Sequence, residues 1–275
     1  MRDVPRSSGR GVRAPAVAGR FYPADAGVLT GLVDRLVGEV ETPAHETAAM
    51  AYVVPHAGYQ FSGPTAAHAY GRLRAQADRV RRVVLIGPAH YVELSGCAVP
   101  AAAVWRTPLG EVPVDVSLVD RLERDGHVTV DDRPHAPEHS LEVQLPFLQR
   151  VLPAGVPVLP IAVGPSSVDD VAVTLAAVAD RDTVVLCSTD LSHYLDDPTA
   201  RRQDQRTAQA VLDLAPDRIG VRDACGVFAL RGLLLWARQM ELRPTLLDLS
   251  TSADTAGDPT RVVGYSAFAF HPASA

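Results

Sequence analysis

Lysine is missing altogether from this 275-residue chain, whose 26 basic residues are all arginine. That absence removes Schiff-base chemistry, a lysine general base and the lysine of a phosphate-binding P-loop. Cysteine is scarce: Cys97, Cys187 and Cys225 are too few and too scattered for a disulfide framework or a CxxC metal knuckle. A reducing compartment fits, and any chemistry by cysteine is that of a single thiol. No uninterrupted apolar run approaches the roughly 20 residues of a membrane span. The opening MRDVPRSSGRGVR lacks the apolar centre of a signal peptide, so the expectation is a cytoplasmic protein, with no membrane contact and a flexible tail over residues 1–13. Excess basic charge is lacking too. A net charge of -6 argues against a nucleic-acid partner, and the clusters around Arg79 to Arg82 and Arg201 to Arg206 read as a solvated helix end and a solvated helix face.

What is present is enough apolar sequence, 47% hydrophobic against 21% charged, for a sizeable core. Strand-length apolar runs alternate with segments of helical period. That pattern predicts an α/β fold, with a mostly parallel or mixed central sheet covered by helices, in a single domain over 14–272. Helices are expected over 25–40, from Pro64, over 115–126 with Gly126 as the stop, over 167–180, over 199–213 and from Cys225 onward. Strands are expected at 51–54, 83–87, 157–164 and 183–188, with LLDLS and VVGYSAFAF closing the chain. WRTPLGEVPVD, residues 105–115, reads as a small hairpin.

Three of these strands run into a loop bearing a histidine: AYVVPHAG with His56, VVLIGPAHY with His90 and VVLCSTDLSHY with His193. Parallel strands deliver such loops to one edge of an open α/β sheet, where ligands bind. His45, His127 and His271 sit in polar or terminal contexts, and His68 on a helix face suits packing. Asp190, three residues before His193, either orients that imidazole or caps a turn. In EHSLE, His139 and Glu142 are three apart and share a face if the segment is helical, as a ligand pair or as outer support for the ligands; Pro146 is expected to kink that helix. Cys225, in DACG, precedes an apolar-periodic run, and a helix start there would favour thiolate. Cys187 and Cys97 read as inert core.

PHAGYQFSG followed by AAHAY, GPAHY, EHSLEVQLPFL, STDLSHY, DACG and TSADTAGDPTRVVGYSAFAF, in this order, resemble the Memo family, in prokaryotes also called protein B of the AmmeMemoRadiSam system. The resemblance spans about Arg13 to His271. It implies a fold similar to class III extradiol dioxygenases of the LigB type, and a pocket in which His56, His90 and Cys225 bind copper or iron, with zinc as a further candidate. Asp190 and His193 match polar residues of the same vestibule. It also implies redox chemistry on a small-molecule substrate that is not identified, and a functional link to a radical-SAM enzyme and an AMMECR1-like protein. Phe61 stands where the family usually has tyrosine, and Tyr91 where relatives often repeat histidine.

Two readings follow. In the first, a metal-dependent, dioxygenase-like oxidoreductase holds its metal on His56, His90 and Cys225, while His193 with Asp190 moves a proton. In the second, a non-catalytic protein uses the pocket to sequester metal or to hold a peptide or partner. A cysteine hydrolase with Cys225 as nucleophile and His193 as base ranks below both, because it leaves His56 and His90 without work.

Overall fold

A computed structural model describes residues 10–43 and 47–273; most of the expected tail, and His45, lie outside the described residues. The strands are β1 (Val12–Arg13), β2 (Ala51–Val54), β3 (Arg82–Pro88), β4 (Cys97–Val99), β5 (Val104–Thr107), β6 (Gly110–Pro113), β7 (Thr129–Val130), β8 (Val158–Val163), β9 (Thr183–Ser188), β10 (His193–Leu195), β11 (Leu242–Thr251) and β12 (Val262–Pro272). The helices are α1 (Ala26–Gly38), α2 (Tyr59–Ala75), α3 (Val116–Arg124), α4 (Leu145–Val151), α5 (Val168–Val178), α6 (Asp197–Leu212) and α7 (Val227–Gln239).

Four parallel strands in the order β2, β9, β3, β8 form the centre of a nine-stranded mixed sheet. Their sequences are rich in valine, leucine and isoleucine and nearly every residue is buried, as expected when helices cover both faces. Around this centre β12 pairs antiparallel with β2, and β10 and β11 pair with β12. On the other side β4 pairs antiparallel with β8, and β7 follows it. The expected 105–115 hairpin is β5 with β6, and β1 joins it to make a separate three-stranded sheet.

Helices gather in two groups: α1, α2 and α4 pack together, with α2 against β2, β11 and β12, while α7 lies on β3, β9 and α5. Several starts are set by capping side chains, Asp25 for α1, Asp115 for α3, Ser167 for α5 and Asp196 for α6, each accepting a backbone N–H three residues on. Where α5 meets α7, a Cβ on Gly232 would come within 2.2 Å of Val171, so only glycine permits that approach.

Three local expectations are corrected. Helix α2 begins at Tyr59, not Pro64, because the Tyr59 N–H finds the Phe21 carbonyl and the Phe61 and Ser62 N–H groups close on Gly58. Pro64 thus lies inside the helix, and the carbonyl it deprives of a partner belongs to the exposed Gln60. Pro146 does not kink α4 but sits in its first turn, where a missing N–H costs nothing. The tail does not extend through residue 13: Val12 and Arg13 pair with β5, and the Arg13 side chain is buried.

Candidate metal centre

Strands β2, β3 and β9 run parallel and in register, so the segments leaving their carboxyl ends meet at one edge, with Val54 beside Ser188. His56 follows β2. Its backbone N–H donates to Asp190 Oδ1 at 2.7 Å, and its ring Nδ1 lies 2.9 Å from Ser188 Oγ. The Ser188 hydroxyl gives its single proton to the Ser140 carbonyl at 2.7 Å and accepts from Gln144 Nε2. The proton in the His56 bond must therefore sit on Nδ1, which leaves Nε2 with a free lone pair.

His90, just beyond β3, is set the same way by a carboxylate. Its Nδ1 donates to Glu138 Oε1 at 2.9 Å and its backbone N–H to Oε2 at 2.5 Å, leaving Nε2 open. Glu138 also accepts the N–H groups of His139 and Ser140. Burial opposes ionisation of Glu138, yet the His90 bonds and charge and the Ser140 N–H outweigh it and hold the carboxyl at about 2. A carboxylate behind a histidine is a frequent support of metal ligands, because it fixes both tautomer and ring orientation.

The third imidazole is His139. Its ring stacks on His90 with centroids 4.7 Å apart, stands edge-on to His56 at 5.3 Å, and meets Phe21 on another side at 4.5 Å. Its Nδ1 is buried and makes no hydrogen bond: Glu138 Oε1 is 3.2 Å away but misaligned. Burial, then the neighbouring imidazoles, pushes His56 well below the usual histidine range; burial, then His56, pushes His139 to about 4. Both are neutral at pH 7. One nitrogen from each of His56, His90 and His139 lies within 4.8 Å of the other two, an arrangement that could hold a metal ion. Imidazole nitrogens gathered at this distance suit copper, iron, zinc or nickel, so the donors present fit such an ion.

Cys225 lies directly before the N-terminal end of α7, at the expected place, and its Sγ is 3.2 Å from His56 Nε2. It touches the cluster at one member, while the three donors that converge are histidine nitrogens. Against the pull of the helix start, burial, then the Asp190 carboxylate, pushes the thiol up to about 12. Cys187 and Cys97 are buried, with thiols pushed up by burial as well.

The loop after β9 differs in detail from its expected wiring. Asp190 is buried, its pKa raised by that burial, and its Oδ1 is spent on the His56 N–H. The His193 tautomer is set instead by the Leu191 carbonyl, which accepts from Nδ1 at 2.8 Å. His193 and Cys225 line a cleft of about 420 Å³, together with Leu195, Gln203, Arg222 and Ala224.

Glu142 does not face this cluster. Its carboxylate binds Arg13, the Ala16 and Val17 N–H groups and the Tyr22 hydroxyl. The condition for a helical face shared by His139 and Glu142 is not met, because regular helical turns begin only at Glu142 and His139 lies in the loop before them. Among the described residues, His68, His127 and His271 join no cluster of metal-binding type. Glu138 and Ser188 were missed; the signal for Glu138 was its place directly before His139 in EHS, whereas Ser188 at a strand end carries none.

The described residues contain no helix long and apolar enough to cross a membrane. A family model described as Memo-like protein matches residues 13–269. A MEMO1 family protein of Methanopyrus kandleri is 36% identical over 281 residues, covering 94% of this chain and 98% of that protein. One from Ignicoccus hospitalis is 36% identical over 283 residues, with 94% and 98% covered. Another, from Aquifex aeolicus, is 34% identical over 270 residues, with 94% and 99% covered. With the family's pattern running through almost the whole chain, this protein belongs to the Memo family.

Proposed function

We propose that this protein is a metal-dependent redox enzyme in which His56, His90 and His139 hold a copper or iron ion and Cys225 stands beside His56 as an additional sulfur donor. The observation that carries the reading is the convergence of three imidazoles, two of them with Nδ1 already tied to Ser188 and Glu138. A bound copper or iron ion would supply one-electron chemistry toward oxygen or a small molecule. The chain's own residues then have separable tasks. Ser188 and Glu138 aim the rings, and burial keeps His56 and His139 neutral and ready to donate lone pairs. The cleft at Cys225 gives a small substrate a way in, and His193, with Nδ1 tied to the Leu191 carbonyl, has Nε2 left there to take or return a proton.

The test is anaerobic titration with Cu(I) and with Fe(II), metal content being measured directly on the wild type and on His56→Ala, His90→Ala, His139→Ala and Cys225→Ala. One equivalent is expected in the wild type. Each histidine substitution should weaken binding by at least ~10-fold, since it removes a ligand outright. Oxygen consumption by the loaded protein then separates turnover from storage. No binding of either metal, or binding indifferent to all three histidines, overturns the metal reading; stoichiometric binding with no turnover reassigns the site to sequestration.

A further inference from the structure

The loop that carries Glu138 and His139 is irregular, yet it is held at several points by one side chain from the far end of the chain. Arg13 Nε donates to the His135 carbonyl at 2.8 Å, Nη2 to the Glu138 carbonyl at 2.7 Å and Nη1 to Glu142 Oε2 at 2.7 Å. The guanidinium also lies over the Trp105 ring, 4.1 Å from its centroid. Arg13 is 7% exposed and Glu142 0%, so the pair sits in a low-dielectric interior. Glu142 in turn accepts the N–H groups of Ala16 and Val17 and the Tyr22 hydroxyl, and the Phe21 ring packs on His139. The segment from Val12 to Tyr22 is thus a strap across residues 135–142. Its arginine grips the loop on both sides of His139, and its phenylalanine presses on the imidazole itself.

A planar guanidinium can reach acceptors on three residues at once in fixed directions, which a lysine ammonium does not reproduce. Among the described residues, the groups the Arg13 side chain bonds belong to His135, Glu138 and Glu142 and to none of the three clustered histidines, so it acts on the cluster through this loop. We propose that Arg13 is the positioning residue for His139: its fork sets the loop so that the His139 ring completes the cluster begun by His56 and His90. The inference rests on the metal reading above and deepens it.

The experiment is a double-substitution cycle read by anaerobic Cu(I) affinity in the presence of a competing chelator, using wild type, Arg13→Lys, His139→Ala and the combination. Arg13→Lys keeps the charge opposite Glu142 but loses the fork. It should weaken Cu(I) binding by ~10-fold or more, the scale seen when a ligand's supporting partner is lost. In the His139→Ala background the same substitution should change affinity no further. If Arg13→Lys shows no cooperative melt without metal, Arg13→Met combined with Glu142→Gln, which removes both buried charges together, takes its place in the cycle. A wild type that binds while Arg13→Lys binds equally well overturns the positioning role and leaves the metal site standing. So does a loss that persists undiminished without His139, since that marks a general structural effect. A wild type that binds no Cu(I) overturns the metal reading, and the positioning role falls with it.

Discussion

At this site the Glu138 carboxylate takes four N–H donors: the ring and backbone of His90 and the backbones of His139 and Ser140. Replacing it by glutamine keeps the shape but leaves one acceptor oxygen, with an NH2 group turned toward donors it cannot satisfy. Glu138→Gln is therefore expected to weaken Cu(I) or Fe(II) binding ~10- to 100-fold. It should also destabilise the metal-free protein by about 1.5–3 kcal/mol, the scale of a hydrogen bond to a charged group. Metal titration and denaturant unfolding of the same sample check the two together; a variant with unchanged affinity would show that His90 needs no carboxylate to orient it. The histidines themselves were legible from sequence because each of His56 and His90 follows a strand-like run. His139 was legible only as a neighbour, since it lies in an irregular loop bonded by Arg13, over a hundred residues away, and no local pattern reports that contact.

Among the elements, the buried strands β2, β3, β8 and β9 and the longer helices were readable, for their apolar runs and periods are long enough to be unambiguous. Strands β4, β7 and β10 were not. Each has only two or three residues, and β10 pairs with β12 through a register shift, with Tyr194 in the left-handed region at φ 62°. Propensity cannot announce pairing that tertiary packing imposes. The junction before α7 shows the same dependence. A Cβ on Gly226 would lie 2.8 Å from Thr189 Cβ and 2.9 Å from the Ser188 carbonyl oxygen, so the helix start is pressed against the end of β9. The Gly226 N–H also donates to Thr189 Oγ1 at 2.8 Å. Gly226→Ala should push α7 outward and carry Cys225 away from His56, at a cost of about 1–3 kcal/mol from overpacking. Thermal unfolding reads the cost. The reaction rate of Cys225 with a thiol reagent reads the displacement and is expected to rise, whereas an unchanged rate and melting temperature would mean the junction yields freely.

For the whole molecule, the cluster's neutrality has a consequence in acid. His135 is buried with its Nε2 bonded to the Ala98 carbonyl, and burial, then Arg13, lowers its pKa to about 4. His139 is lowered to about 4 and His56 well below its ordinary value, burial leading in both. A histidine whose folded pKa lies below its unfolded value of 6.5 binds its proton more readily in the unfolded chain. Its contribution is whole above pH 6.5 and is lost as pH falls toward 4, about 3 kcal/mol each for His135 and His139. Asp204 works in the opposite sense: burial, only partly offset by the Ser192 N–H and hydroxyl, raises it to about 6, so its ionisation costs stability as pH rises from near 4 to 6. That opposing contribution is of about the size of one histidine's. Asp190, raised by burial as well, opposes in the same sense, but three histidines outnumber two carboxylates, and the metal-free protein should be less stable at pH 4 than at pH 6.5, measured as urea unfolding at fixed ionic strength. Glu138, held at about 2, adds to the loss only at the acid end of this window, since most of its share is lost below about pH 4.5. Bound metal stabilises the native state in proportion to its free concentration over its dissociation constant, so the loaded protein should hold its stability at pH 7 and converge on the metal-free curve as protons displace the ion. A metal-free curve flat from pH 7.5 to 4 would mean that these imidazoles are wetter than their packing indicates, and the case for ready lone pairs on His56 and His139 at neutral pH would weaken with it.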